Sequence, residues 1–308
     1  MNQRTVSLLG AACLDVGLGE GNSAWHPVAL VGQALALAYR PGANRLRPAE
    51  QMVAGTGALL LATAGAAGAG WLVERSARCL GRSGAVLLPV ALKPMFSIRQ
   101  LLAEAAGVGD ELEAGRLGAA RLRLRALVSR PAAELGPGQV ASAAVESVAE
   151  NLCDSVAAPL LAFAIGGLPA AAAYRTVNTA DAMFGYRDRL EWLGKAAARS
   201  DDALNWLPSR FATAGLILAA VLLLGPAAGL RSLRTAWRDA GGTASPNAGW
   251  PMAAMAGALG RRLEKPGHHV LGAGYPEPDV ADVRRAVRVA GLAAALCVLG
   301  SALLAGRA

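Results

Sequence analysis

Three uncharged apolar stretches of the sequence are each long enough to cross a lipid bilayer: Gln51 to Val73, Phe211 to Leu230 and Val289 to Gly306. A helix needs about 20 residues to cross the hydrocarbon core of a membrane. Within that core every backbone N–H and C=O must bond inside the segment, which leaves the α-helix as the structure for such a run. The sequence therefore predicts an all-α, multi-pass helical membrane protein, with 1–308 forming a single integral-membrane domain.

The composition agrees with this class and excludes several others. The mean hydropathy is +0.37, and 17% of the residues are charged, whereas an average soluble domain has about 25%. The net charge of +8 is explained by basic loops beside a lipid bilayer or by an anionic substrate. Nucleic acid is not expected, because the aromatic interleaving of a stacking surface is missing. The four cysteines are far apart, and His26 with the pair His268-His269 are too few and too badly spaced for a histidine-based metal site.

The most unusual charge pattern of the chain is Glu146-Ser-Val-Ala-Glu150-Asn-Leu-Cys-Asp154. Its three carboxylates are four residues apart, and each step of four along a helix turns about 400°, so they stay within roughly 80° of one another. Like charges on one helix face repel, and here they precede an apolar run. This acidic stripe therefore predicts a positive partner: a metal ion, an arginine cluster or a charged substrate.

The apolar run after the stripe, Ser155 to Tyr174, contains Pro159 and the sequence Gly166-Gly-Leu-Pro169. If this run crossed the membrane, the stripe before it and the polar cluster 178–187 after it would lie on opposite sides. Non-helical backbone at membrane depth is tolerated where protein or water covers it. We therefore expect a broken or re-entrant helix here, which would bring both polar groups into one site.

Polar helical segments are expected outside the spans. Asn178 and Asp181 share a helix face three residues apart, and Arg199, Asp202 and Asn205 recur every three residues. An ordinary ion pair between Arg199 and Asp202 is the alternative. The recurrence of carboxylates, amides and arginines beside apolar spans favours a functional site, because ionisable residues at membrane depth usually face a cavity or a partner.

The remaining segments are short. The sequence Ser245-Pro-Asn-Ala-Gly-Trp-Pro251 has no helical period, and its turn-forming residues predict either a plain turn or a tight loop whose exposed backbone N–H groups hold an anion. The apolar runs Val6 to Gly19 and Ala85 to Leu92 are too short to span and are expected to be interfacial or buried helices.

These motifs, in this order, resemble the adenosylcobinamide-phosphate synthase family of cobalamin biosynthesis. The resemblance covers most of the chain, and several motifs of this length in one order are specific. The matching segments are His26 to Val28, Glu146 to Asp154, Tyr174 to Tyr186, Ala196 to Asp202, Leu204 to Arg210, Ser245 to Pro251 and Ala256 to Gly260. One departure is Pro251-Met-Ala253, where the family commonly has Pro-Glu-Ala.

The resemblance implies a multi-pass enzyme of the cell membrane, of the bacterial inner-membrane type. It implies a ligase that joins aminopropanol, usually as its O-phosphate, to the free propionate of adenosylcobyric acid and so gives adenosylcobinamide phosphate. ATP and Mg²⁺ are the implied cofactors, the corrinoid is a substrate rather than a prosthetic group, and a complex with other corrinoid-pathway proteins is a further expectation. The alternative is a non-catalytic corrinoid-binding membrane protein or a transporter, since transporters also place polar residues beside broken helices.

Amide formation from a carboxylate requires an activated group such as an acyl phosphate, and oxygen ligands suit the Mg²⁺ that would neutralise phosphate charge. The catalytic candidates are Glu146, Glu150, Asp154, Asp181 and Asp202, of which the first three are hypothetical Mg²⁺ ligands. The arginines are expected to hold phosphates, and the amides to orient the propionate or bind the amides of the corrin. The substrate-binding candidates are His26, Asn151, Asn178, Tyr186, Arg187, Arg199, Asn205, Arg210, Ser245 and Asn247. No Walker-type Gly-x-x-x-x-Gly-Lys is present, so a nucleotide must bind in another way.

Overall fold

The computed structural model describes residues 2–19, 27–38, 45–81, 84–128, 131–185 and 190–307. Within these ranges the regular structure is helical apart from one short hairpin. The elements are α1 (Gln3–Leu18), α2 (Pro27–Ala38), α3 (Pro48–Cys79), α4 (Gly84–Leu92), α5 (Arg99–Glu113), α6 (Leu117–Leu124), α7 (Pro137–Leu152), α8 (Ala158–Phe184), α9 (Glu191–Leu204), α10 (Trp206–Leu224), α11 (Pro226–Asp239), α12 (Gly249–Leu259), β1 (Leu263–Lys265), β2 (His269–Leu271) and α13 (Val280–Arg307). The prediction of an all-α, multi-pass helical protein is confirmed.

The chain divides into two compact units. Unit 1 takes its residues from Met1–Ser97, Ala158–Asn205 and Leu299–Ala308, and unit 2 from Ile98–Ala157 and Trp206–Val298. The acidic stripe therefore begins and ends in unit 2, while the polar residues of α8 and α9 belong to unit 1. The expectation of one integral-membrane domain stays a prediction.

Five helical stretches are long and apolar enough to cross a membrane: Pro48–Cys79, Gly84–Glu113, Pro137–Phe184, Trp206–Leu224 and Val280–Arg307. The first of them, α3, contains the predicted span 51–73, and the last, α13, contains the predicted span 289–306. Only 11% of the most apolar window of α3 is buried. An exposed apolar surface of this extent is typical of contact with lipid.

Two apolar runs differ from their predicted boundaries. The span predicted at 211–230 ends early, because Gly225 adopts a φ of 92° after α10, and Pro226 starts α11. A positive φ of this kind favours glycine, and the fixed φ of proline suits the first turn of a new helix. The run 85–92, expected to be interfacial or buried, lies instead within the candidate stretch Gly84–Glu113.

The broken helix is α8. Gly167 interrupts it with a φ of 70° and a ψ of −162°, and the N–H of Leu168 donates a hydrogen bond to Oε2 of Glu74 at 3.1 Å. Glu74 therefore caps the second half of α8, where free N–H groups attract negative charge, and it also pairs with Arg78 at 3.5 Å and Arg4 at 3.8 Å. The predicted break is confirmed; re-entry of this segment into the membrane stays a prediction.

Candidate functional site

Helix α7 carries the first two carboxylates of the stripe into the interior of unit 2. It begins at Pro137, and the N–H of Gly136 before it donates to Oε1 of Gln139 at 2.9 Å. The positions from 140 to 149 are buried. Glu146 itself is only 6% exposed, and Glu150, one turn further on, is half-buried. Both carboxylates project from one face of a helix whose backbone is fixed by packing.

Glu146 has identifiable partners in this interior. The hydroxyl of Ser142 donates to its Oε1 at 3.2 Å, and its Oε2 lies 3.5 Å from Nε2 of His269. Ser142 Oγ in turn accepts a hydrogen bond from the N–H of Glu264 at 2.8 Å. This chain of contacts joins α7 to the β-hairpin, because Glu264 and His269 lie on its two strands.

The hairpin places basic side chains side by side. Its strands pair with Leu263 opposite Leu271 and Lys265 opposite His269. The turn between them contains Gly267 with a φ of 75°, and the N–H of His268 donates to the carbonyl of Lys265 at 2.9 Å. Directly opposite residues project from the same face, with Cβ atoms about 5 Å apart. Lys265 and His269 therefore share the face on which the two leucines are buried.

A cavity of about 330 Å³ lies in unit 2 where α7, the hairpin and the loop before α12 meet. The side chains around it that can carry charge or form hydrogen bonds are Glu146, Ser147, Glu150, Thr243, Ser245, Lys265, His268 and His269. Small-molecule sites begin at about this volume. The cavity has room for a small organic ligand. Two predicted catalytic carboxylates and the predicted Ser245 thus come together here.

The loop after α11 does not present its N–H groups as expected. The hydroxyl oxygen of Ser245 accepts hydrogen bonds from the N–H groups of Asn247 at 3.2 Å and Ala248 at 3.4 Å. Serine readily folds back on the following backbone in this way. The prediction that this loop exposes its N–H groups to an anion is wrong for these two groups.

Arg210 and Asn247, both predicted to bind substrate, bind each other. Nη1 of Arg210 donates to the buried Oδ1 of Asn247 at 2.7 Å. The guanidinium also lies 5.0 Å from the ring of Trp206 and 4.9 Å from the ring of Trp250, which is cation–π distance. In this arrangement Arg210 holds the loop in place; its predicted contact with a phosphate stays a prediction.

The end of the acidic stripe leaves the α-helical register. Residues Cys153–Ala157 form a π-helical segment, in which each turn contains more residues than an α-turn. Asp154 lies in this segment and not among the residues around the cavity. Asn151 donates to the carbonyl of Ser147 at 2.9 Å and to its hydroxyl at 3.1 Å. Glu146 and Glu150 both line the cavity, whereas Asp154 does not; the shared helix face of all three carboxylates stays a prediction.

The described residues contain no group of three or more His, Cys, Asp or Glu side chains placed to hold a metal ion. A Mg²⁺ site formed by Glu146, Glu150 and Asp154 together is thus not present in this part of the chain. Mg²⁺ commonly binds to one or two carboxylates and takes its other ligands from phosphates and water; a Mg²⁺ site at Glu146 and Glu150 stays a prediction.

A second polar group, in unit 1, links the predicted residues of α8 and α9. The hydroxyl of Tyr174 donates to Oδ1 of Asn205 at 2.9 Å, and Nδ2 of Asn205 donates to Asp201 at 2.9 Å. Asp201 also accepts from Nδ2 of Asn178 at 3.2 Å, and Oδ1 of Asn178 accepts from Arg175 at 3.3 Å. Burial raises the pKa of the Asp201 carboxyl above its ordinary value; the two amides oppose this shift and the neighbouring carboxylate of Asp202 adds to it.

The remaining candidate residues differ in their burial, and three of them lie outside the described ranges. Asp181 and Asp202 are half-buried in unit 1, and Arg199 is exposed. His26, Tyr186 and Arg187 lie outside the described residues. Because the stripe and the α8–α9 residues belong to different units, their union in one site stays a prediction.

Comparison with known proteins assigns the chain to a family. The family model described as CobD/Cbib protein matches residues 8–299. The chain belongs to the CobD/CbiB family of cobalamin biosynthesis proteins. It is 38% identical over 267 residues to the cobalamin biosynthesis protein CobD of Dehalococcoides mccartyi, covering 85% of this chain and 84% of that protein. It is 34% identical over 294 residues to the cobalamin biosynthesis protein CbiB of Salmonella typhimurium, covering 90% and 86%. No solved structure matches the chain.

Sequence reasoning missed several polar residues of this CobD/CbiB protein. Lys265 and His269 line the cavity, but the histidines were set aside because their spacing did not suit a metal. The Pro266-Gly267 dipeptide is a turn signal and indicates the turn of the hairpin. The predicted site residues include Asp202 but not Asp201, which accepts the hydrogen bonds of Asn178 and Asn205, and they do not include Glu74.

Proposed function

We propose that this CobD/CbiB protein is a carbon–nitrogen ligase of the cell membrane. It joins the amino group of aminopropanol, or of its O-phosphate, to the free propionate of adenosylcobyric acid in an ATP-driven reaction. The product is adenosylcobinamide or its phosphate. The observation that carries this proposal is the cavity in unit 2, where two carboxylates one helical turn apart meet a lysine and histidines.

The reaction makes three demands on such a site. The propionate needs a leaving group, the amine must lose a proton before its lone pair attacks the acyl carbon, and water must be kept from the activated acyl group. Glu146 and Glu150 provide the carboxylates at the cavity, and one of them accepts the proton from the ammonium group. These side chains would also hold Mg²⁺, which when bound would supply positive charge against that of phosphate. The buried face of α7 fixes the carboxylates against the reacting atoms.

The size of the cavity separates the two organic substrates. The amine fits inside about 330 Å³, while the corrinoid inserts only its propionate arm and leaves the macrocycle outside. The apolar helices place the protein in the bilayer, and a complex with other corrinoid-pathway proteins would deliver and remove the large substrate. Nucleic acid has no role in this proposal.

The test is a synthase assay in membranes from a host that lacks this activity. Adenosylcobyric acid, aminopropanol O-phosphate, ATP and Mg²⁺ are supplied, and the new amide is detected by mass spectrometry. We expect product that depends on ATP, and a loss of at least about 100-fold for Glu150→Gln, because a general base contributes 10²- to 10⁴-fold.

The matched control is Glu264→Gln, since Glu264 pairs with Arg262 at 3.1 Å and its side chain is not among those around the cavity. This variant should keep full activity. Binding or uptake of the corrinoid without product would support the alternative, a non-catalytic corrinoid-binding protein or transporter. Full activity in both Glu150→Gln and Asp202→Asn would refute the roles assigned to these carboxylates.

A further inference from the structure

Lysine is rare in this chain, which has only Lys93, Lys195 and Lys265. Two of them have a carboxylate partner: Lys93 lies 3.7 Å from Asp15, and Lys195 lies 2.9 Å from Glu191. Lys265 makes no ion pair with any described residue. It is half-buried and lines the cavity of unit 2. The one lysine without a protein carboxylate in the described chain is therefore the one placed at the candidate site.

The two arginines that precede the hairpin already have carboxylate partners. Arg262 pairs with Glu264 at 3.1 Å and Glu277 at 2.7 Å, and Arg261 pairs with Asp279 at 2.8 Å and with the buried Asp282. Among the described residues, carboxylates pair with these arginines and none pairs with Lys265. An uncompensated cation beside a cavity favours an anionic ligand.

Imidazoles stand beside this lysine. His269 is its cross-strand partner, and His268 follows the turn; both line the cavity. The side chain of His269 is only 9% exposed, and its buried Nε2 makes no hydrogen bond, although Glu146 lies 3.5 Å away. A buried nitrogen without a hydrogen bond is uncommon and calls for a ligand atom.

We propose that Lys265, with His268 and His269, binds a phosphate group of a substrate. Phosphate offers several acceptor oxygens to three donors and makes strong hydrogen bonds to cations. In a zwitterionic amine phosphate the ammonium end then faces Glu146 and Glu150, which line the same cavity. The naming of this ligand rests on the proposed function; the phosphate of a nucleoside triphosphate has the same chemistry and is the second source.

Binding to the purified full-length protein in detergent separates the two sources. Calorimetry is carried out with aminopropanol O-phosphate, with unphosphorylated aminopropanol, with adenosylcobyric acid, and with ATP and Mg²⁺. We expect Lys265→Gln to weaken the binding of the amine phosphate about tenfold or more and to change the affinity for aminopropanol by less than about twofold. Lys265→Arg, which keeps the charge, should retain most of the affinity, and Lys195→Gln should bind like the wild type.

A loss confined to ATP would support the phosphate site and assign it to the nucleotide. The proposal is overturned if Lys265→Gln binds both phosphate ligands normally, or if Lys265→Gln and Lys265→Arg lose affinity equally. It is also overturned if the loss is confined to adenosylcobyric acid, since the anion would then be a carboxylate.

A second measurement needs no variant. The chain has three lysines, and the other two are ion-paired. Treatment of the wild type with an amine-acylating reagent, followed by peptide mass spectrometry, therefore measures the acylation of Lys265 directly. Protection of Lys265 by aminopropanol O-phosphate or by ATP is expected; no protection by either overturns the proposal. If the protein binds phosphate through Lys265 but forms no amide, the proposed function is refuted and this inference stands. If Lys265→Gln leaves both amide synthesis and the affinities unchanged, this inference is refuted and the proposed function stands.

Discussion

The two polar groups of this protein use the same residue types in different ways. In unit 1, the hydroxyl of Tyr174 and the amides of Asn178 and Asn205 bond in sequence to each other and to Asp201. In unit 2, Glu146 lines a cavity where His269, 3.5 Å away, has a nitrogen without a hydrogen bond and Lys265 has no ion-pair partner among the described residues. The first group is bonded largely within itself, although the buried Nε of Arg175 has no hydrogen-bond partner, and the second leaves polar atoms beside a cavity.

This difference shows that a polar residue in a largely apolar chain is not by itself evidence of a catalytic or binding site. Buried polar atoms must be bonded somewhere, and a network that satisfies its own members stabilises the packing of its helices. The helices α8 and α9 also bury an apolar cluster that includes Leu59, Val177 and Ala197. Reactive chemistry is expected where the bonds are left incomplete and a cavity adjoins them.

The largest effect is expected from a substitution at Glu146, and its absence would contradict the difference drawn between the two polar groups. Glu146→Gln keeps the shape of the side chain but removes a carboxylate at the cavity. We expect at least about a 100-fold loss of synthase activity with a change in the free energy of unfolding below about 1 kcal/mol. The assay is the membrane synthase reaction, with denaturation in mixed micelles as the stability measurement. Unchanged activity with a large loss of stability would make Glu146 a structural residue.

A substitution at Asn205 is expected to lower the stability of the protein. Asn205→Ala removes the acceptor of the Tyr174 hydroxyl and a donor to Asp201, and each buried polar group left without a partner costs about 1–3 kcal/mol. The free energy of unfolding in mixed micelles should therefore fall by about 2–4 kcal/mol. Tyr174→Phe, which removes a single O–H, is the matched variant and should lose about 1 kcal/mol. A stability equal to the wild type in both would show that the network does not hold α8 to α9.

The smallest expected effect is a pH dependence of the stability that comes from Asp201. Burial raises the pKa of Asp201, so over the interval between its ordinary and its raised pKa the folded protein holds a proton that the unfolded chain has lost. The free energy of unfolding then falls as the pH rises across that interval. Asp201→Asn should lose about 1–2 kcal/mol, because its amide faces the amide of Asn205, and should lack this slope. An identical slope in the variant would place the titration elsewhere.

Much of the fold could be predicted from local pattern. The apolar stretches of α3 and α13 and the break at Gly167 follow from length, charge and glycine content, because helix formation in a membrane depends on neighbours along the chain. The hairpin partnership of Lys265 and His269 could not be predicted in this way. It depends on a strand register and on the hydrogen bond from the N–H of Glu264 to Ser142, 122 residues away.

The sequence by itself determined the helical membrane class, the family and the pairing of Glu146 with Glu150 on one helix face. Each of these depends on residue type and short spacing. Only the tertiary structure decided that Asp154 lies in a π-helical segment and does not line the cavity, that Asn205 is bonded within its own network, and that Lys265 lies at the cavity. These outcomes depend on which distant atoms satisfy each buried polar group, and spacing along the chain does not specify that.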